Sequence, residues 1–143
     1  MTIEKLKKED IPQLLDLYKE LVEYDNTVKQ AEKVYDKMLA NDDYYLVVAK
    51  DNDKIVGTML GVCCDDLAVM GRPFMVVESV IVSEKYRGQG IARKLSESLD
   101  DFAKEKKCSF SIIVSSGHRK TAHKFYESMG YTDSVRGFRK NYF

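Results

Sequence analysis

The sequence is short of structure breakers: two prolines and eight glycines in 143 residues leave no room for a long disordered or collagen-like tract. Cysteine is sparse and odd in number. Cys63, Cys64 and Cys108 include an adjacent pair, a poor framework for disulfides, so a reducing, cytoplasmic setting is expected. No apolar run approaches the roughly 20 residues that cross a bilayer, and no membrane association is expected. The opening Met1-Thr2-Ile3-Glu4-Lys5 has no basic stretch leading into an apolar one, so no secretory leader is expected either. An excess of charge is missing as well, since 23 Lys and Arg balance 23 Asp and Glu. Domains that hold nucleic acid by bulk charge carry a strong basic excess, so nucleic acid is not an expected partner. What is present is 44% apolar and 32% charged residues, the make-up of one soluble domain over residues 1–143.

The balanced charge hides an asymmetry. Residues 1–82 carry 16 acidic against 10 basic side chains, and residues 83–143 carry 13 basic against 7 acidic ones. The second half should attract an anionic ligand, while the first suits something cationic.

Periodicity gives the order of elements. Thr2–Leu6 reads as a strand, and Asp10 as an N-cap with Pro12 in the first turn of a helix to about Glu23. A second helix is predicted from Thr27 to near Asn41. Tyr44–Lys50 and Lys54–Cys64 form a hairpin around the polar turn Asp51-Asn52-Asp53, and Phe74–Val82 is a further strand. A long amphipathic helix follows at about Gly90–Lys107, then a strand at Ser109–Ser115 and a helix at Arg119–Met129 ended by Gly130. From Tyr131 the chain should return to the sheet as one or two strands ending at Phe143. The class is mixed α/β (α+β), with too few helices for a fully parallel sheet.

The chemistry concentrates where the valine-rich strand Val76–Val82 runs through Ser83-Glu84-Lys85-Tyr86 into Arg87-Gly88-Gln89-Gly90-Ile91-Ala92-Arg93-Lys94 and the long helix. Glycines there let successive N–H groups converge on one concavity. The first helical turn adds unpaired N–H groups and the positive end of the helix dipole. Such a junction suits phosphate oxygens. A Walker loop is absent, and a Rossmann fingerprint fails because Arg93 stands at its third glycine. Arg87-x-x-Gly90-x-Ala92 remains.

With that motif the chain resembles the GNAT superfamily of acyl-CoA-dependent N-acyltransferases, whose pyrophosphate signature is Gln/Arg-x-x-Gly-x-Gly/Ala. Glu78-Ser79-Val80-Ile81-Val82 resembles the family's fourth strand, and Ala122-His123-Lys124-Phe125-Tyr126-Glu127-Ser128-Met129-Gly130-Tyr131 its later helical motif. The likeness covers nearly the whole chain. It implies a twisted, mostly antiparallel sheet flanked by about four helices, with fourth and fifth strands splayed to admit acetyl-CoA as co-substrate. Backbone of Val80, Ile81 and Val82 would meet the pantetheine arm. Amides of Arg87, Gly88, Gln89, Gly90, Ile91 and Ala92 would hold the pyrophosphate, with Arg93 and Lys120 close by. Transfer to a small-molecule amine or a peptide would be direct. The family also implies a possible homodimer.

Each candidate residue has a functional and a structural reading. Glu78 sits in a strand pattern that places Val76, Glu78, Val80 and Val82 on one face. Desolvation among valines suits a carboxylate to accept a proton, and the resemblance makes Glu78 a base or an amine-binding acid; otherwise it pairs with a cation at a sheet rim. Tyr126 lies on an apolar helix face with Ala122, Phe125 and Met129, as a core tyrosine would. The resemblance instead makes it the acid that protonates the departing thiolate. His118, in a turn after a strand, can approach substrate or cofactor. The family's acceptor pocket implies Tyr24, Tyr142 and Phe143. His118 and His123 are five apart and Cys63-Cys64 are adjacent, so neither pair has metal-ligand spacing and no metal is expected. The rival expectation is a non-catalytic acyl-CoA-binding regulatory module.

Overall fold

The computed structural model describes residues 1–115 and 119–143. Its elements are β1 (Thr2–Lys5), α1 (Ile11–Tyr18), α2 (Val28–Leu39), β2 (Tyr44–Asp51), β3 (Lys54–Cys64), β4 (Phe74–Val82), α3 (Ile91–Glu105), β5 (Ser111–Ile113) and α4 (Lys120–Ser128). The strands form one sheet in the order β1-β2-β3-β4-β5. Neighbours are antiparallel from β1 to β4, and β4 pairs parallel with β5 across the α3 crossover. This is the mixed α/β domain expected, with four helices flanking the sheet.

Two apolar layers hold it. On one face Val47, Ala49, Val56, Met59, Met75 and Val77 pack against Ile91, Leu95, Leu99 and Ala103 of α3, four residues spaced one turn apart. On the other, Ile11, Leu14 and Leu17 of α1 and Tyr35 of α2 cover Leu46, Val48, Ile55 and Ile81. Two glycines of β3 set how closely α3 lies. A Cβ on Gly57 would stand 3.2 Å from both Ile91 and Leu95, and one on Gly61 would stand 3.0 Å from Leu99 and Met75.

Asp10 departs from its expected role. It stands at the start of α1, but its side chain makes no capping bond. Its carboxylate instead takes Lys50 Nζ at 2.6 Å, and Glu4 lies 2.9 Å from the same ammonium. Lys50 and Asp10 are buried, and the Asp10 bond raises the Lys50 pKa above its ordinary value. Removing the cation strands two carboxylates. Lys50→Ala is expected to cost about 3 kcal/mol, read as a lower midpoint in chemical denaturation.

Other departures are local. α1 stops at Tyr18, short of Glu23, and Glu20 beyond it reaches out to accept bonds from the Ser83 hydroxyl and the Glu84 amide at 2.9 and 3.0 Å. β5 spans only Ser111–Ile113, shorter than expected, and just before it Ser109 gives both its amide and its hydroxyl to the Pro73 carbonyl. The expected strands after Tyr131 are not formed: no strand is assigned over 131–143. The amides of Thr132 and Val135 bond locally to Gly130 and Asp133. The apolar side chains Val135, Phe138, Tyr142 and Phe143 are all exposed, so no buried face fixes a register.

Candidate active site

The site begins with a break in β4. Leu60 of β3 faces Glu78 and Thr58 faces Ile81, so Met59 alone stands opposite Ser79 and Val80. This is a β-bulge, and Ser79 takes φ +53°, rare for a residue with a side chain. One extra residue flips the faces of everything after it. Met75 and Val77 belong to the α3 layer, and so do Val80 and Val82, while Ile81 belongs to the α1 layer. The expectation that Glu78 shares a face with Val80 and Val82 is therefore corrected. Glu78 lies on the opposite face and is exposed, so the valines do not desolvate it.

β4 and β5 separate just there. Their pairing ends at Val77 with Ile113, while β4 continues to Val82. At the closed end the rings of Phe74 and Phe110 stack at 5.3 Å and hold the strand starts together. The edge of β4 beyond Val77 opens into a cleft of about 830 Å³, lined by Val80, Ile81, Val82, Arg87, Ala92, Lys120 and Tyr126.

At the cleft's head the chain turns through Gly88 and Gly90, both left-handed at φ +76° and +75°. The first helical bond of α3 that closes on this turn runs from the Lys94 amide to the Gly90 carbonyl. Among the described residues, the amides of Gly88, Gln89, Gly90, Ile91, Ala92 and Arg93 have no partner. Six orphan donors at the N-terminus of a 15-residue helix are chemically suited to hold an anion. Arg87 helps shape it, donating Nε–H to the Val82 carbonyl at 3.1 Å, and Arg93 reaches Ser128 of α4 at 3.5 Å.

Tyr126 is only 8% exposed, its ring edge-on to Phe125 and Tyr131. Its hydroxyl has no hydrogen-bond partner among the described residues, and the residue lines both this cleft and a second cavity of about 850 Å³ beside β5. Burial raises its pKa above the ordinary value and keeps the phenol protonated at neutral pH, while the charge of Arg119 opposes that rise. Of the acceptor candidates, Tyr24 and Phe143 meet, ring centroids 5.6 Å apart. Tyr142 points to solvent, and neither it nor Glu78 lines the cleft. His118 lies outside the described residues.

Sequence reasoning missed Glu20, Leu21, Arg119 and Phe125, which also line the cleft. Glu20 and Leu21 follow α1, and only the fold brings them to the end of β4. Arg119 was legible as a cation just ahead of the α4 motif. The Glu84 amide and the Ser83 hydroxyl hold the Glu20 carboxyl below its ordinary value of 4.5. A depressed carboxyl contributes stability above its unfolded pKa and loses it as pH falls through the folded one. Glu20→Gln should therefore melt below wild type at neutral pH, with the gap closing on acidification below about 4.5. A gap that persists in acid would show that the loss is steric.

Cys63 is no nucleophile at neutral pH. Burial, together with the Cys108 thiol 3.5 Å away, pushes its pKa up to about 12. No group of three or more His, Cys, Asp or Glu among the described residues is placed to hold a metal.

A splayed mixed sheet with an anion-binding helix end at its wedge defines an acyl-CoA-dependent N-acyltransferase. The sequence model of the acetyltransferase (GNAT) family matches residues 11–131, and the chain belongs to that family. Among curated proteins it is 25% identical over 122 residues to N-alpha-acetyltransferase 30 of Schizosaccharomyces pombe, covering 84% of this chain and 79% of that one. It is 28% identical over 91 residues to human N-acetyltransferase 8B, covering 64% of this chain but only 40% of the relative. Among solved structures, a provisionally assigned acetyltransferase from Agrobacterium tumefaciens str. C58 superposes with TM-score 0.90 at 29% identity over 99% of both chains. Glucosamine-6-phosphate N-acetyltransferase from Arabidopsis thaliana shares the fold at TM-score 0.88 and 23% identity, covering 99% of this chain and 97% of that one.

Proposed function

We propose that this protein transfers an acetyl group directly from acetyl-CoA to a primary amine of a small molecule or a peptide, with both substrates bound together. The observation that carries the reading is the run of unpartnered amides from Gly88 to Arg93 at the head of a cleft walled by the free edge of β4. Acetyl-CoA supplies a thioester activated towards amines. The amides hold its pyrophosphate, and Arg87, Arg119 and Lys120 add charge around it. The Val80 backbone and the Val82 amide, beyond the end of the β5 pairing, offer the pantetheine arm a strand edge, while Arg87 holds the Val82 carbonyl.

The attacking amine must be neutral, so an ammonium has to lose a proton. Glu78, exposed on the α1 face, takes that proton directly or through water. Tyr126 stands protonated at the cleft wall and gives its proton to the departing thiolate, and the nearby Arg119 charge eases formation of the phenolate. Tyr24 and Phe143 border the acceptor. The names of similar proteins span an N-alpha-acetyltransferase and a sugar-amine N-acetyltransferase, which leaves both acceptor types chemically open.

Thiol release from acetyl-CoA across a panel of amines and peptides tests the reading. At least one acceptor should release thiol, and acetyl-CoA alone should raise the melting temperature. A melting shift with no thiol release across the panel would make the protein a binding module. Glu78→Gln is expected to lower turnover most at low pH, where the acceptor is an ammonium, and to spare acetyl-CoA binding. A pH–rate profile identical to wild type would remove Glu78 from the reaction.

A further inference from the structure

We propose that the acceptor is a small molecule whose amine is carried on an apolar body, aromatic or branched aliphatic, that lies flat on an uncovered part of the sheet beside Glu78. The inference rests on the transfer reading above and names the acceptor class which that reading leaves open.

The α1 face of the sheet is covered over only part of its length. α1 and α2 bury Leu46 and pack against Leu60, which stands opposite Glu78. One row further along, Tyr44 of β2, Val62 of β3, Val76 of β4 and Ile112 of β5 stand in register across four strands. Phe74 and Phe110 continue the same face, their rings 12° from parallel. All six are at least partly exposed, whereas Gly61, Cys63, Met75 and Val77, which alternate with them, are buried on the α3 face. Among the described residues, none of the six packs into either apolar layer. Strands about 4.8 Å apart make this a floor roughly 14 Å wide, room for a ring or a branched chain.

The floor borders the proposed chemistry on two sides. Glu78 follows Val76 on the same face, roughly 7 Å along the strand. Phe110 and Ile112 also line the cavity beside β5, and Tyr126 lines that cavity with them. A body resting on Val62 and Val76 thus holds its nitrogen at Glu78, next to the point where β4 and β5 part.

Two demands then fix the class. A carboxylate at the border selects a cation. Of the six floor side chains only Tyr44 carries an oxygen or a nitrogen. A sugar amine or a peptide would lay hydroxyls or backbone amides on carbon that returns no hydrogen bond, and would lose the water that satisfied them. An apolar body instead takes its own surface and the floor's out of water together.

Thiol release from acetyl-CoA tests it with ethylamine, butylamine, 3-methylbutylamine, 2-phenylethylamine, glucosamine and the peptide Ser-Gly-Gly. Along the aliphatic amines kcat/KM should climb roughly fourfold per added carbon. The two largest apolar amines should exceed glucosamine and the peptide by about tenfold or more. Val62→Thr with Val76→Thr keeps the side-chain volume on strands that suit threonine. It should raise KM for 3-methylbutylamine about tenfold, with kcat and the circular dichroism spectrum near wild type. NMR titration with 3-methylbutylamine, with and without CoA, reads the floor without turnover, and the double variant should bind about tenfold more weakly. Binding that the double variant weakens, with no thiol release from any amine, keeps the floor and overturns the transfer reading. Thiol release that favours glucosamine or the peptide keeps the transfer and overturns the floor, and so does a KM that the double variant leaves unmoved. Neither binding nor release overturns both.

Discussion

Tyr126→Phe is expected to lower turnover by about a hundredfold or more while acetyl-CoA still binds, because a positioned acid contributes about 10²–10⁴-fold. The substitution keeps the ring, its packing on Phe125 and Tyr131, and the wall between the two cavities. It deletes only a hydroxyl that bonds to nothing among the described residues, so little stability should be lost with it. Burial holds that phenol protonated and Arg119 stands ready to offset the phenolate. Steady-state kinetics should show the loss in kcat, with acetyl-CoA affinity by calorimetry near wild type. A variant that turns over like wild type would assign thiolate protonation to another group.

Gly90→Val should do the reverse: acetyl-CoA affinity falls at least about tenfold, or about 1.4 kcal/mol, while turnover at saturation changes little. No atom lies within 4 Å of a Cβ placed on Gly90, so the substitution meets no steric clash with the protein. The cost comes from the backbone. At φ +75° an L side chain is strained by roughly 1–2 kcal/mol, more for a β-branched one. The strain is relieved by turning the amides away from their common focus, and the new methyl groups enter the space that the proposed function gives to phosphate oxygens. Affinity equal to wild type would mean that the anion is held elsewhere.

The parts of the fold set by local pattern were legible. β3 and β4 lie at their predicted limits, and Thr27 caps α2 through the Gln30 amide. The Gly88–Gly90 junction and its helix were visible because glycine and helix-start chemistry are local. The bulge was not. Nothing in Glu78-Ser79-Val80 announces that two residues will stand opposite Met59, and alternation read without it put Glu78 on the wrong face. Asp10 reads as a cap in one dimension, yet Lys50, forty residues away, claims its carboxylate. The C-terminal segment carries Val135, Phe138, Tyr142 and Phe143, but all four are exposed, so no buried face fixes a register.

Gly57 and Gly61 let a helix rest almost directly on backbone, which makes the height of its amide-bearing end a property of the middle of the sheet. Adding carbon atoms at either glycine would lift α3 like a shim under a beam, raising its amide-bearing end relative to the rim of β4. The height of the amide-bearing end of α3 is thus adjustable from two positions buried on the sheet's α3 face.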